Sequence, residues 1–176
     1  GARTVLDQVV RRAQHFSSQV VVCTSIDTED DPIEEHCHRH GVLCVRGSLD
    51  NVFLRYKDAL THPDVVETTW FARVTADSPL VSPVLARALL AEAHEGLDYV
   101  SVQYDQTPLG VAVEWVRRSA FLSIDVDSLD TPEREHVTVR LYEDTARFRA
   151  ARMPPPAALM GGEYRLTLDY PEDYQL

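Results

Sequence analysis

The stretch ARVTADSPLVSP, residues 72–83, combines the features that decide the fold of this chain. Its first residues, with the aromatic pair before them, form a strand-favouring run that ends at the carboxylate of Asp77. Ser-Pro follows at once, and a second Ser-Pro at Ser82 and Pro83 marks the start of a helix. The stretch therefore predicts a buried strand whose carboxyl end bears a negative charge and leads into a helix.

The same alternation of short apolar strands and amphipathic helices occurs on both sides of this stretch. The predicted strands are 19–25, 42–46, 68–76 and 98–103, and the predicted helices are 5–16, 31–41, 50–60 and 82–94. We place Asp31 at the N-cap of the second helix and Gly41 at its end. Short loops between alternating elements are typical of an α/β protein with a mainly parallel sheet covered by helices on both faces.

The rhythm is less regular after residue 103. The pattern predicts a strand at 110–116, helices near 118–128 and 132–143, a return strand at 163–169 and a helix from Pro171. Thr131 fits a capping box with Glu133 only loosely, because the glutamate lies at the second helical position. We expect residues 1–176 to form one domain.

Composition narrows the class of protein. The chain has 176 residues, 44% hydrophobic content and a net charge of −11, which describe a globular protein and argue against a nucleic-acid partner. A bound nucleotide stays compatible with this charge. Three cysteines (Cys23, Cys37 and Cys44) suggest a reducing, cytoplasmic setting. We see neither a signal peptide nor an apolar run of membrane-spanning length, so no membrane partner is expected.

Aspartates follow two of the predicted strands, Asp77 after the third and Asp169 after the return strand. In open α/β sheets, ligands bind outside the carboxyl ends of the strands, and two carboxylates at one edge favour a cation between them. Mg²⁺ is the natural candidate, because it prefers carboxylates together with phosphate oxygens and water. The alternative is that each aspartate caps the helix after it.

Several stretches resemble, in the correct order, segments of the cytidylyltransferase family that includes spore-coat polysaccharide proteins, acylneuraminate cytidylyltransferases and CMP-3-deoxy-manno-octulosonate synthetases. ARVTADSPLVSP resembles the family motif R-x-T-G-D-x-P-L-x-x-P, with Ala76 replacing the glycine. Residues 20–56 resemble the second strand, the helix and the Arg-Gly-Ser segment. TPLGVAVEW (107–115), REHVT (134–138) and LTLDYPEDYQL (166–176) resemble later motifs. The resemblance covers nearly the whole chain and implies a Rossmann-like three-layer nucleotidyltransferase fold.

The activity that the resemblance implies is transfer of CMP from CTP to a small anionic acceptor, with Mg²⁺ on the phosphates and release of pyrophosphate. The acceptor would be an acidic sugar, or a phosphonate in secondary metabolism. Residues 1–103 would bind the nucleotide, 104–162 the acceptor and a second subunit, and 163–176 would supply the return strand and a helix start. The protein could form a homodimer. It could also be one module that works beside a fused or partner catalytic domain.

The resemblance also assigns roles to individual residues. Asp77 and Asp169 would hold the metal and, with Arg73, act in catalysis. The nucleotide-binding residues would be Thr24, Ser25, Arg46 and Ala76. The acceptor-binding residues would be Glu114, Arg134 and His136. His136 could serve as a general base for the acceptor hydroxyl or form a structural hydrogen bond, and the roles of Arg46 and Arg55 are equally open.

Two alternative functions remain. The first keeps the fold but uses another nucleotide, as sugar-1-phosphate nucleotidyltransferases do. The second is a degenerate domain that binds nucleotide without turnover, because the family's opening strand and its loop A-R-x-x-S-x-R-L-P-G-K have no counterpart here. We expect that this sequence omits the region rather than that the protein has lost it. Without that strand the sheet would lack a central member.

The segment HCHRH, residues 36–40, places two histidines one helical turn apart. Such a pair can bind zinc, but the sequence shows no second ligand cluster with zinc spacing. A solvated helix face is therefore the preferred interpretation.

Overall fold

The computed structural model describes residues 3–175. The α-helices are α1 (Val5–Ala13), α2 (Asp31–His40), α3 (Val52–Thr61), α4 (Pro83–Glu92), α5 (Arg118–Leu122), α6 (Thr131–Glu135) and α7 (Val139–Glu143). The strands are β1 (Val21–Ser25), β2 (Leu43–Gly47), β3 (Trp70–Arg73), β4 (Tyr99–Val102), β5 (Glu114–Arg117) and β6 (Ala150–Met153). Within the described residues, no helix combines the length and the apolar character needed to cross a membrane.

The strands form two sheets. β1 and β2 pair in parallel, with Val21 opposite Leu43. The larger sheet has the order β3-β5-β4-β6, in which β5 is antiparallel to β3 and β4 while β4 and β6 are parallel. Among the described strands of this sheet, β5 alone runs against the others. The predicted α/β class is confirmed.

An apolar cleft of about 350 Å³ separates the two sheets. Its walls come from β1, β3 and the apolar face of α1, and they include Val22, Phe71 and Val10. Within residues 3–175, neither the β1 edge nor the β3 edge at this cleft has a partner strand.

The larger sheet has a hydrophobic core on each face. Successive side chains of a strand point to opposite faces, so Tyr99 and Val116 enter one core while Val100 and Trp115 enter the other. Helices α3, α5 and α7 contribute to the first core, and α4 contributes to the second. The layers are therefore helix, sheet and helix, and Glu114 lies on the same face as Val116.

Asp30, not Asp31, precedes the first residue of α2, which corrects the predicted cap. The Asp30 side chain does not cap the helix, because its Oδ2 accepts from Thr24 Oγ1 at 2.7 Å and from Ser25 Oγ at 2.6 Å. Gly41 ends the helix as predicted, with a left-handed φ of 66°.

The second part of the chain differs from prediction in its helices. The helix predicted near 118–128 stops at Leu122, and a short 3₁₀ turn covers Val126–Ser128. The helix predicted near 132–143 is two helices, because the backbone of His136 leaves the helical conformation between them. The capping box of α6 uses Asp130 as its cap, which places Glu133 at the third helical position.

The predicted return strand at 163–169 is wrong. This segment is extended but forms only one isolated bridge, between Leu109 and Arg165, within the described chain. The segment packs tightly against the loop before β5. A Cβ on Gly110, in that loop, would lie 2.8 Å from the Leu166 carbonyl carbon. The other backbone bonds of the segment go to loop residues, so no strand ladder can form.

Candidate active site

A polar cavity of about 500 Å³ lies at the edge of the larger sheet where β3 ends and β5 begins. Carboxyl ends of strands in such sheets are the usual place for ligands. The cavity wall contains five of the residues predicted for the site, namely Arg73, Asp77, Glu114, His136 and Asp169. The apolar cleft between the sheets has few polar groups, so the polar cavity is the candidate site.

The carboxylate of Asp77 is held by two hydroxyl groups. Thr75 Oγ1 donates to Asp77 Oδ1 at 2.5 Å, and Ser78 Oγ donates to the same oxygen at 2.9 Å. The following helix, α4, is capped by Ser82, so Asp77 is not its cap. Asp77 Oδ2 makes no hydrogen bond to any residue between positions 3 and 175, which leaves that oxygen available to a ligand.

Asp169 is held in a similar way beside Asp77. Thr167 Oγ1 donates to Asp169 Oδ2 at 2.7 Å, and Arg165 Nη1 donates to the same oxygen at 2.8 Å. The last turn, Pro171–Gln175, is closed by its own Asp173, whose Oδ2 accepts from the backbone N–H of Tyr170 at 2.9 Å. Hydrogen bonds from Arg165 hold the pKa of Asp173 well below its usual value. Asp169 Oδ1 has no partner in the described part of the chain.

A backbone hydrogen bond joins the segments that carry these two aspartates. The N–H of Leu168 donates to the carbonyl oxygen of Asp77 at 2.8 Å. The structure therefore brings together Asp77 and Asp169, which are far apart in sequence, at one cavity wall.

The donor set at this wall consists of oxygen atoms. Each aspartate keeps one carboxylate oxygen free of protein partners among the described residues, and hydroxyl groups fix the other oxygen. Mg²⁺ prefers a few carboxylate ligands and retains water or phosphate oxygens in its remaining positions. The residues present fit this ion.

Glu114 is the centre of a hydrogen-bond network at the cavity floor. Arg73 Nη1 donates to Glu114 Oε2 at 2.6 Å. The other carboxylate oxygen accepts from Tyr99 at 2.6 Å, Tyr104 at 3.2 Å and Thr138 at 3.1 Å. Both oxygens are thus occupied by protein groups, so Glu114 is placed to orient its neighbours.

The network keeps its donors protonated. Burial, followed by the charge of Glu114, raises the pKa of both Tyr99 and Tyr104 above the usual range. Burial is the largest single influence on the pKa of Arg73 and lowers it, but the charge of Glu114, its hydrogen bond and the neighbouring phenols together raise the pKa by more, so the net shift is upward. The cavity floor therefore combines the charged guanidinium of Arg73 with two neutral phenols, all of them bound to Glu114.

Comparison with known proteins decides the family. The family model described as cytidylyltransferase matches residues 1–169. The chain belongs to the cytidylyltransferase family. It is 29% identical to the spore coat polysaccharide biosynthesis protein SpsF of Bacillus subtilis, and the match covers 99% of this chain and 74% of SpsF.

Two further proteins are similar to this chain. An uncharacterised protein of Methanocaldococcus jannaschii is 29% identical and matches over 100% of this chain and 72% of its own length. The structure of a cytidylyltransferase from Leptospira borgpetersenii superposes with a TM-score of 0.84 at 27% identity, covering 99% of this chain and 74% of that one. The fold is that of a nucleotidyltransferase, and the protein is an enzyme of this family.

In this cytidylyltransferase, the residues predicted to bind nucleotide lie outside the polar cavity wall. Thr24 and Ser25 are buried at the carboxyl end of β1, where they donate to Asp30. Arg46 donates to Asp31 and Glu34 in α2, and to two backbone carbonyls. Ala76 lies at the apolar cleft. Their nucleotide roles stay predictions.

The two predicted acceptor residues of the REHVT segment differ in position. His136 is exposed and lines the cavity. Arg134 belongs to α6 and does not line it, and its Nε is buried without a hydrogen bond among the described residues.

Sequence reasoning missed other polar residues of the cavity. Arg152, in β6, lines it, and its guanidinium stacks over the Tyr142 ring at 4.8 Å from the centroid. Arg152 has no carboxylate partner within residues 3–175, so its charge is available to a ligand. The parallel pairing of β6 with β4 brings Arg152 opposite Ser101. The sequence RFRAAR (147–152) shows no pattern from which this strand pairing could be predicted.

Proposed function

We propose that this enzyme transfers CMP from CTP to a small anionic acceptor, such as an acidic sugar or a phosphonate, and releases pyrophosphate in an Mg²⁺-dependent reaction. The observation that carries the proposal is the pair Asp77 and Asp169 at one wall of the polar cavity. Membership of the cytidylyltransferase family supports the choice of nucleotide.

Asp77 and Asp169 would hold Mg²⁺ through the carboxylate oxygens that lack protein partners among the described residues. When bound, the ion would neutralise charge on the phosphates and make the α-phosphorus more reactive to an incoming oxygen. Thr75 and Thr167 keep the two carboxylates in place through their hydroxyl groups. This preorganisation means that little rearrangement is needed when the nucleotide arrives.

Arg73 is the cation that we expect to contact a phosphate. Its Nη1 is bound to Glu114, which fixes the guanidinium plane, while its remaining nitrogens make no hydrogen bond to any described residue. Because the upward shift in its pKa keeps the group charged, Arg73 can stabilise the negative charge that develops in nucleotidyl transfer.

The acceptor would bind near Arg152 and His136, which line the same cavity. Arg152 supplies a positive charge without a carboxylate partner in the described chain, which suits a carboxylate or phosphonate group. His136, which is exposed at the same cavity, would accept the proton of a sugar hydroxyl while its oxygen attacks the α-phosphorus and the bond to pyrophosphate breaks. An ionised phosphonate oxygen would need no such base.

The test is CTP-dependent pyrophosphate release with a panel of acidic sugars and phosphonates, measured for the wild type and for Asp77→Asn and Asp169→Asn. We expect each substitution to lower kcat/KM by about 10³-fold or more, in line with the loss of a charge-stabilising group. Asp105→Asn is the control, because Asp105 is exposed and does not line the cavity. Unchanged activity in Asp77→Asn would contradict the metal assignment, and a preference for UTP, GTP or ATP would contradict the nucleotide.

A further inference from the structure

Three side chains that can bind a metal meet where α1 packs beside α2. They are Asp7 from α1 and His36 and His40 from α2, and one ligand atom from each lies within 4.8 Å of the others. His36 Nε2 is 2.9 Å from Asp7 Oδ1. None of the three lines the polar cavity, so this cluster is separate from the proposed Mg²⁺ site.

The carboxylate of Asp7 is oriented by its own helix start. The backbone N–H and the hydroxyl of Thr4 both donate to Asp7 Oδ2, at 2.9 and 3.0 Å. Oδ1 is left to face His36. The backbone hydrogen bond from Thr4 is the main cause that lowers the pKa of Asp7 to about 2, so the group is ionised at every ordinary pH.

The ring of His40 is oriented by a backbone hydrogen bond. Its Nδ1 lies 2.8 Å from the carbonyl oxygen of His36. A carbonyl oxygen can only accept, so Nδ1 carries the proton and Nε2 of the neutral ring keeps its lone pair. Metal-binding histidines are commonly fixed in this way, with the second ring nitrogen donating to a carbonyl group.

The two histidine rings are stacked, with centroids 4.2 Å apart and an angle of 28° between their planes. The hydrogen bond between Asp7 and His36 explains their contact but does not involve the second ring beside it. Two histidines at positions i and i+4 of one helix, with a carboxylate from elsewhere, form a donor set that suits zinc.

We propose that Asp7 Oδ1, His36 Nε2 and His40 Nε2 bind one Zn²⁺ ion, with water as the fourth ligand. Zinc bonds of 2.0–2.2 Å to nitrogen and oxygen place neighbouring ligand atoms about 3.3 Å apart in a tetrahedral site. Asp7 and His36 therefore need to separate by less than an ångström. The ion takes the place of the proton between them, and His36 binds as a neutral ring with its proton on Nδ1. A neutral ring reaches this form by a change of tautomer, and an imidazolium reaches it by releasing its Nε2 proton to solvent.

Zinc at this position would link α1 to α2. α1 also forms one wall of the apolar cleft, so the ion would stabilise the packing at a place where no strand joins the two sheets in the described chain. The sequence shows only the histidine pair, because the third ligand comes from another helix and is recognisable only once the helices are packed.

The test measures Zn²⁺ binding to the full chain without a histidine tag, by equilibrium dialysis with metal analysis and by titration calorimetry. We expect one Zn²⁺ per chain and a four-coordinate visible spectrum when Co²⁺ replaces it. His40→Gln and Asp7→Asn should each weaken binding by about tenfold or more. His40 is exposed, so its replacement should leave the metal-free fold intact, which thermal unfolding in chelator checks.

His38→Gln is the matched control, because His38 is exposed on the same helix and its side chain makes no hydrogen bond to the described residues. Its affinity for Zn²⁺ should equal that of the wild type. Zn²⁺ should raise the melting temperature of the wild type and of His38→Gln but not of His40→Gln. Absence of stoichiometric binding in the wild type, or an equal loss in both histidine variants, would overturn the site.

Discussion

Arg73 and Glu114 lie opposite each other across β3 and β5, and their side chains are joined by a hydrogen bond of 2.6 Å. The Glu114 side chain is 8% exposed and that of Arg73 22% exposed. An ion pair so shielded from water has a fixed geometry, and removal of one partner leaves the other charge uncompensated. The pair therefore connects the packing of the sheet with the chemistry of the cavity.

Glu114→Gln should lower both stability and activity. The amide keeps the shape of the side chain but loses the charge that pairs with Arg73, which leaves a poorly compensated cation in the sheet. We expect the free energy of unfolding to fall by about 2 kcal/mol. Urea unfolding measures this change, and pyrophosphate release measures the accompanying loss in kcat.

Glu67→Gln is the control for this experiment. Glu67 lies 3.7 Å from Arg118 but its side chain is 89% exposed, and exposed pairs contribute little to stability. If Glu114→Gln proved as stable as Glu67→Gln, the network around Glu114 would have no structural importance.

Arg152→Ala should affect the acceptor and not the nucleotide. The substitution removes the cavity's cation that has no carboxylate partner among the described residues, so the KM for the acceptor should rise by about tenfold or more. The KM for CTP should stay close to that of the wild type. Steady-state kinetics with each substrate varied in turn distinguish the two constants.

Arg149→Ala is the matched control, because Arg149 is exposed just before β6 and does not line the cavity. Its kinetics should equal those of the wild type. A rise in the KM for CTP alone in Arg152→Ala would instead place the arginine at the nucleotide.

The sequence predicted the parts of the fold and of the site that depend on local patterns. Apolar strands and capped helices of the first hundred residues follow from side-chain periodicity, and their bounds agree within a few residues. The sequence predicted that Asp77 and Asp169 lie close together, because each follows a predicted strand. The second of these is not a strand, but its backbone bond to Asp77 brings the carboxylate to the same edge.

The features that the sequence did not reveal depend on tertiary pairing. The four donors around Glu114 come from separate elements, and nothing in the local pattern shows that they converge. The same is true of Arg152, which reaches the cavity through strand pairing, and of Asp7, which meets the histidines through helix packing. Periodicity identifies the buried face of an element but not its neighbour.

Gly110→Ala should be strongly destabilising and should also impair catalysis. Gly110 has a φ of 95°, and a Cβ there would lie 2.8 Å from the Leu166 carbonyl carbon and 2.9 Å from the Thr167 nitrogen. The backbone must shift, so we expect a loss of about 2 kcal/mol or more in the free energy of unfolding. The shift would also displace Asp169.

Gly96→Ala is the control for this experiment. Its added Cβ would have the His94 ring as its nearest neighbour, at 3.4 Å, so the substitution should change neither stability nor activity much.

Glu133→Gln should change how stability depends on pH. Arg140 donates to both carboxylate oxygens of Glu133, at 2.5 and 2.6 Å, and these bonds lower the pKa of Glu133 below its usual 4.5. A lowered pKa in the folded state adds stability above pH 4.5 that is lost as pH falls through the folded-state value. The variant should therefore be less stable than the wild type at neutral pH, by about 1 kcal/mol or less, and the gap should close below pH 4.5. Urea unfolding at a series of pH values measures the difference in free energy of unfolding between the variant and the wild type. Glu135→Gln, at an exposed neighbour, is the control. A difference that does not change with pH, or the same difference in Glu135→Gln, would show that the ion pair is not the cause.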